Sequence, residues 1–287
     1  MYTNIQQLVE HAREMPLHEV ILQAEEQLTG ASRQQVMQAF EHRWKVMQES
    51  AHRALETPQT MIGNLISGQA KTQYHYSKNG GFLGGNTNAM MAMAFSSSEV
   101  NAGMGRICAA PTAGACGILP AVLLTAQQRL EADEQTVLKG LIVASGIGAV
   151  ITKNATVSGA EGGCQAECGV AAAMAAAAAV YMVGGTAQMC ADACAIALMN
   201  CMGLICDPIA GLVQLPCSFR NASQSVNALA SADMALAGQS SVIPADEVIE
   251  SMYRVGKKLP MEFRETALGG IATSPTGREI ANRLYSE

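Results

Sequence analysis

The chain has 287 residues, 49% of them hydrophobic but only 4% aromatic, and a formal net charge of −6. That length holds a sizeable core in one large domain or two small ones. The acidic balance, without a basic block, excludes nucleic acid as a partner. A core of Ala, Leu, Val, Ile and Met with few rings favours close-packed helices over sheet.

Met1 leads into charged, helix-like sequence rather than an apolar leader. The nine cysteines are therefore expected in the reducing cytoplasm, free or metal-bound. The five histidines, His11, His18, His42, His52 and His75, all fall in the first quarter and leave the later sequence without imidazole.

In chain order, residues 4–13, 17–28 and 33–55 carry apolar residues at helical spacing, with Ser32 as a cap and Thr29-Gly30 as a stop. They form an N-terminal helical arm over 1–62, whose histidines and Trp44 read as surface and core residues. Residues 63–86, with Gly80-Gly81 and Gly84-Gly85, read as a linker or loop carrying solvated Lys71, Tyr74, His75, Tyr76 and Lys78. The remainder, 87–287, reads as one all-helical domain.

Within it, Thr87 to Phe95 predicts a short helix, with Ser96-Ser97-Ser98 capping the next segment. The run from Asn101 to Gly117 is dense in small residues. Its Pro111-Thr112-Ala-Gly114 segment leads into an apolar helix, Ile118 to Gln127. Two readings stand for it: a carboxylate seat at a helix start, or tight helix packing. Glu134 to Val150 predicts a buried helix, followed by a polar patch from Thr152 to Ser158 that includes Lys153 and Asn154.

Val170 to Val183 is apolar on every side and rich in alanine, which predicts a central helix wrapped by others. Its Gly borders and alanine content weigh against a membrane span. Cys190, Cys194 and Cys201 share one helical face and read as packing. Asn221 to Ala237 and Glu247 to Gly256 predict further helices, and the segments Arg264–Gly270 and Thr273–Gly277 read as closing loops.

Seven of the nine cysteines lie between Gly159 and Arg220. Cys164 follows Gly162-Gly163, Cys206 precedes Asp207-Pro208, and Cys217 follows Pro216, so all three sit at breaks in the helical pattern. Three thiolates without imidazole suit structural zinc poorly. They suit a cubane iron–sulfur cluster with one iron open as a Lewis acid. Cys168 and Cys116 are alternative members of the set by spacing alone. For Glu161 and Glu167, a helix-dipole role and a catalytic one stand side by side.

At these residues the sequence resembles the alpha-subunit family of the bacterial iron–sulfur-dependent L-serine dehydratases. The matching runs are Cys108–Ala115, Ser158–Glu167, Gly203–Cys217, Arg220-Asn-Ala and Arg264–Gly270. The resemblance implies an all-α catalytic domain with a 4Fe-4S cluster on Cys164, Cys206 and Cys217. It also implies a separate beta subunit, hetero- or homo-oligomeric assembly, and deamination of L-serine to pyruvate and ammonia. Some relatives cap the fourth iron with a cysteine near the C-terminus. This sequence has none after Cys217, so that iron is expected to meet solvent, substrate or the partner. Pro111, Thr112 and Gly114 are the expected carboxylate seat. Lys153 and Glu167 are expected bases beside a partner histidine, and Asn154, Ser158 and Arg220 are further expected contacts. The alternative reading is a non-catalytic iron–sulfur or zinc protein.

Overall fold

Eight alanines in the thirteen residues Val170–Met182 make a helix with no side chain bulky enough to keep its neighbours away. This helix, α9, packs against α6 (Ile118–Leu130), α7 (Glu134–Asn154), α10 (Ala187–Cys201) and α11 (Cys217–Leu236). Of its residues only Tyr181 is partly exposed. A second layer contains α3 (Arg33–Arg53), α4 (Gln69–Ser77) and α5 (Gly84–Ala102). Helices α1 (Ile5–His11), α2 (Leu17–Thr29), α8 (Gly159–Gly162), α12 (Ala245–Lys258) and α13 (Pro275–Tyr285) complete the thirteen. The computed structural model describes residues 2–286. Met1 and Glu287, the ends of the outer segments expected above, lie outside the described residues. Among those residues no strand forms, and one isolated parallel bridge joins Cys206 to Arg264. The protein is all-α.

Side-chain caps set several helix starts: Asn4, Ser32 with its reciprocal Gln35, Asp133, Thr186 and Ser274 each accept a first-turn N–H. Gly30, in the left-handed region, ends α2. Two helices, Glu134–Asn154 and Gln165–Met182, are long and apolar enough to cross a membrane, yet both are mostly buried within this chain, as core helices are.

Several expected boundaries change. The 63–86 stretch is not simply a loop, because α4 lies inside it. Fully buried Glu99 accepts the Ala70 N–H (2.8 Å) and the Gln59 N–H (3.1 Å). Gln214 accepts the Leu65 N–H (3.1 Å) and donates to the Ile62 carbonyl (2.7 Å). The first part of the segment is thus stitched to the core. Ser96, Ser97 and Ser98 do not start a helix; they lie buried inside α5. Ser96 Oγ donates to the Ser50 carbonyl (2.7 Å) and accepts from Ala54 N–H (2.9 Å), which satisfies the hydroxyl. Residues 275–285 form a helix rather than a closing loop, capped by Ser274 with Pro275 in the first turn.

Candidate active site

Three chain segments carry Cys164, Cys206 and Cys217, with the charge of Cys164 felt at the other two thiols. The first is the turn before α9. Gly163 takes φ +74°, and a Cβ there would lie 2.8 Å from the Leu204 carbonyl oxygen, so this turn requires glycine. Cys164 follows, and Gln165–Gly169 continues as a π-turn into α9. Buried Gln165 ties the turn to the second segment. Its N–H donates to the Leu204 carbonyl (3.0 Å), its Oε1 accepts from Gly203 N–H (2.9 Å), and its Nε2 donates to the Gly162 carbonyl (2.9 Å).

The second segment carries Cys206 in extended backbone. Cys206 N–H donates to the Phe263 carbonyl and Glu265 N–H donates to the Cys206 carbonyl, both at 2.9 Å. The third segment begins α11. Cys217, expected outside regular helix, is its first residue; Pro216 is tolerated there because a helix start lacks an N–H acceptor in any case. One turn on, Arg220 donates from Nη1 to the Ile205 carbonyl and from Nη2 to Asp207 Oδ1, both at 2.8 Å. Asp207 Oδ2 accepts the Ile271 N–H (2.8 Å). Arg220 therefore pins the Cys206 segment to the helix that carries Cys217.

Glu167 lies buried at this meeting point. Its Oε1 accepts from Thr112 Oγ1 (2.8 Å) and its Oε2 faces the Cys206 thiol (3.8 Å). Gly114 and Gly159 leave room for it: a Cβ at Gly159 would stand 2.4 Å from Glu167 Oε2, and one at Gly114 3.2 Å from Oε1. Asn221 fixes the same loop, donating from Nδ2 to the Gly114 carbonyl (2.6 Å) while Oδ1 accepts the Gly117 N–H (2.9 Å). Burial, then the neighbouring Glu265 carboxylate, pushes the Glu167 carboxyl above the ordinary range. Donor atoms of Glu167, Cys206 and Glu265 lie within 4.8 Å of one another.

The thiols show what this site wants. Burial, followed by the charge of Cys164, pushes Cys206 and Cys217 far up. Cys164 is held down, first by the adjacent Cys168 thiol and then by Arg220. Without a positive group between them the three sulfurs cannot all be thiolates; an iron–sulfur cluster supplies that charge. The donor set therefore fits such a group. Cys190, Cys194 and Cys201 are buried in α10, with thiols pushed up to about 12 by burial, as packing residues are.

Other expected residues stand apart. Lys153 is exposed in the last turn of α7. Asn154 donates to the Thr3 carbonyl in the arm (2.9 Å). Neither makes a hydrogen bond to the cysteines or Glu167 among the described residues. Ser158 occupies the N-cap position of α8 beside Gly159, without a side-chain capping bond. Arg220, by contrast, pairs with Asp207 and also acts on the Cys164 thiol. Pro111 precedes Thr112 on the wall of a separate cavity. The sequence reading gave no role to Glu265 or Asp207, although both lie in the runs that carry the resemblance.

A family model described as serine dehydratase alpha chain matches residues 12–272. The chain belongs to the serine dehydratase alpha-chain family. Similar relatives include the L-serine dehydratase alpha chain of Peptoniphilus asaccharolyticus, 46% identical over 96% of this chain and 94% of that protein. The probable L-serine dehydratase alpha chain of Bacillus subtilis is 41% identical over 99% and 96%. L-serine dehydratase 2 of Escherichia coli is 36% identical over 94% of this chain but only 61% of its own length. Family membership accounts for the whole alpha-chain core, from the arm to the Gly269-Gly270 turn.

Proposed function

We propose that this chain is the alpha subunit of a cytoplasmic L-serine dehydratase that converts L-serine to pyruvate and ammonia. Two observations support the reading: Cys206 lies beside buried Glu167, and the charge of Cys164 acts on both Cys206 and Cys217. The three thiolates would hold a 4Fe-4S cluster, whose open iron, when bound, acts as a Lewis acid toward the leaving hydroxyl.

The chain's own residues do the rest. The Pro111–Gly114 loop, fixed by Asn221, receives the substrate carboxylate. Glu167 and Glu265 flank the substrate ammonium. Glu167, oriented by Thr112, takes the α-proton and passes it to the departing β-hydroxyl, which leaves as water. The resulting aminoacrylate tautomerises to the imine, and water releases ammonia and leaves pyruvate. The longer Escherichia coli relative supports a second chain, the beta subunit, that completes the site in a hetero-oligomer.

A second reading draws on the close Glu167, Cys206 and Glu265 donors: a non-catalytic protein holding one divalent ion. Pyruvate formation from L-serine by anaerobically purified protein, with and without the beta chain, decides between them. Glu167→Gln should lower kcat by roughly 10²–10⁴-fold. No pyruvate with both chains present, or full activity in Glu167→Gln, sinks the respective part of the proposal.

A further inference from the structure

A cavity of about 400 Å³ lies between the arm and the core, within the range of small-molecule sites. Its apolar wall is built from Val36, Phe40 and Met47 of α3, Leu119 of α6, Leu141 of α7 and Met174 of α9. Two charged side chains line it, Glu25 of α2 and Arg43 of α3. Nearby, Arg33 neutralises Glu19 and Glu26, whereas neither Glu25 nor Arg43 has an ion-pair partner among the described residues. One carboxylate, one guanidinium and a hydrocarbon wall are the complement of a zwitterion with an apolar side chain. A fatty acid would leave Glu25 unmatched, and a sugar would leave the apolar wall uncovered. Serine has no hydrocarbon to fill it, so this is not a second serine site.

We propose that the cavity binds an apolar α-amino acid, with its carboxylate on Arg43, its ammonium on Glu25 and its side chain against Phe40, Met47 and Leu141. Binding stands independently of the reaction. Its consequence rests on the function proposed above: Pro111 lines the cavity, and Thr112, the next residue, orients Glu167. A ligand that fixes Pro111 shifts serine turnover, and serine in turn shifts the affinity for that ligand.

The test is calorimetry on the full chain with L-leucine, L-methionine and L-phenylalanine, with L-serine and 4-methylpentanoate as controls. Trp44, the sole tryptophan, is buried in α3 beside Arg43 and gives a second, fluorescence readout. At least one of the three should bind and change Trp44 emission. Arg43→Gln and Glu25→Gln should each weaken it about tenfold or more, the loss of a charge-assisted bond, with thermal stability unchanged. 4-Methylpentanoate should bind L-leucine's site about tenfold more weakly. No heat or emission change at about 10 mM, or an affinity unchanged from the parent in either variant, overturns the proposal. Because the readout is binding to the alpha chain alone, its failure is distinct from a failure of serine dehydration.

Discussion

Arg220→Met tests the scaffold that holds the cysteines in place. The Asp207 side chain is only 3% exposed and that of Arg220 16%, so the pair is a buried one. Removing one partner of such a pair costs about 3–5 kcal/mol, because the other charge is stranded. The Ile205 carbonyl also loses its donor, though that loss overlaps the first. About 4 kcal/mol is the expected net destabilisation, which lowers the melting temperature of a chain this size by roughly 6–7 °C. Arg220→Lys keeps the charge but cannot bond Ile205 and Asp207 with one planar fork, and should fall between. The double variant Arg220→Met with Asp207→Leu should recover part of the loss, since no charge is left unpaired. Denaturant and thermal unfolding of the metal-free chain measure all four proteins. An Arg220→Met protein within about 0.5 kcal/mol of the parent would refute the reasoning.

Gly159→Ala puts a methyl 2.4 Å from Glu167 Oε2; it should destabilise by about 1–3 kcal/mol and cut serine turnover at least tenfold, checked by unfolding and pyruvate assay. Ala177→Leu, fully buried in α9, should overpack the core and cost about 2 kcal/mol by denaturant unfolding. His18 is held below its ordinary pKa of 6.5, chiefly by burial. The unfolded chain therefore binds its proton first as pH falls, and stability drops below about pH 6.5. The melting temperature of the parent should fall between about pH 7 and pH 5.5. His18→Gln should show a shallower fall over the same range; an identical slope would remove His18 from the account.

Much of this was legible because local chemistry and tertiary structure agree. The alanine run announces a helix that others can approach closely, and Ser32 and Thr186 announce starts that their side chains do make. Cys164 and Cys206 are visible as thiols beside Gly163 and before Asp207-Pro208. What was hidden depends on distant partners. Nothing near Gly63 or Gly85 reveals that Glu99 and Gln214 order the segment between. Glu265 reaches the site only through backbone pairing with Cys206. The polar patch at Lys153 and Asn154 could face water or a site by sequence, and the bond that Asn154 makes to the Thr3 carbonyl depends on a residue far away in the chain. The last helix was readable and overlooked: Ser274-Pro275 is a cap followed by a first-turn proline.

Anaerobic reconstitution with iron and sulfide, followed by metal and sulfide analysis of single cysteine variants, tests the central claim most directly. The account predicts about four irons and four sulfides per chain in the parent. It predicts their loss in Cys164→Ala, Cys206→Ala and Cys217→Ala, and their retention in Cys190→Ala and Cys194→Ala. A full complement of iron in any of the first three variants would contradict it.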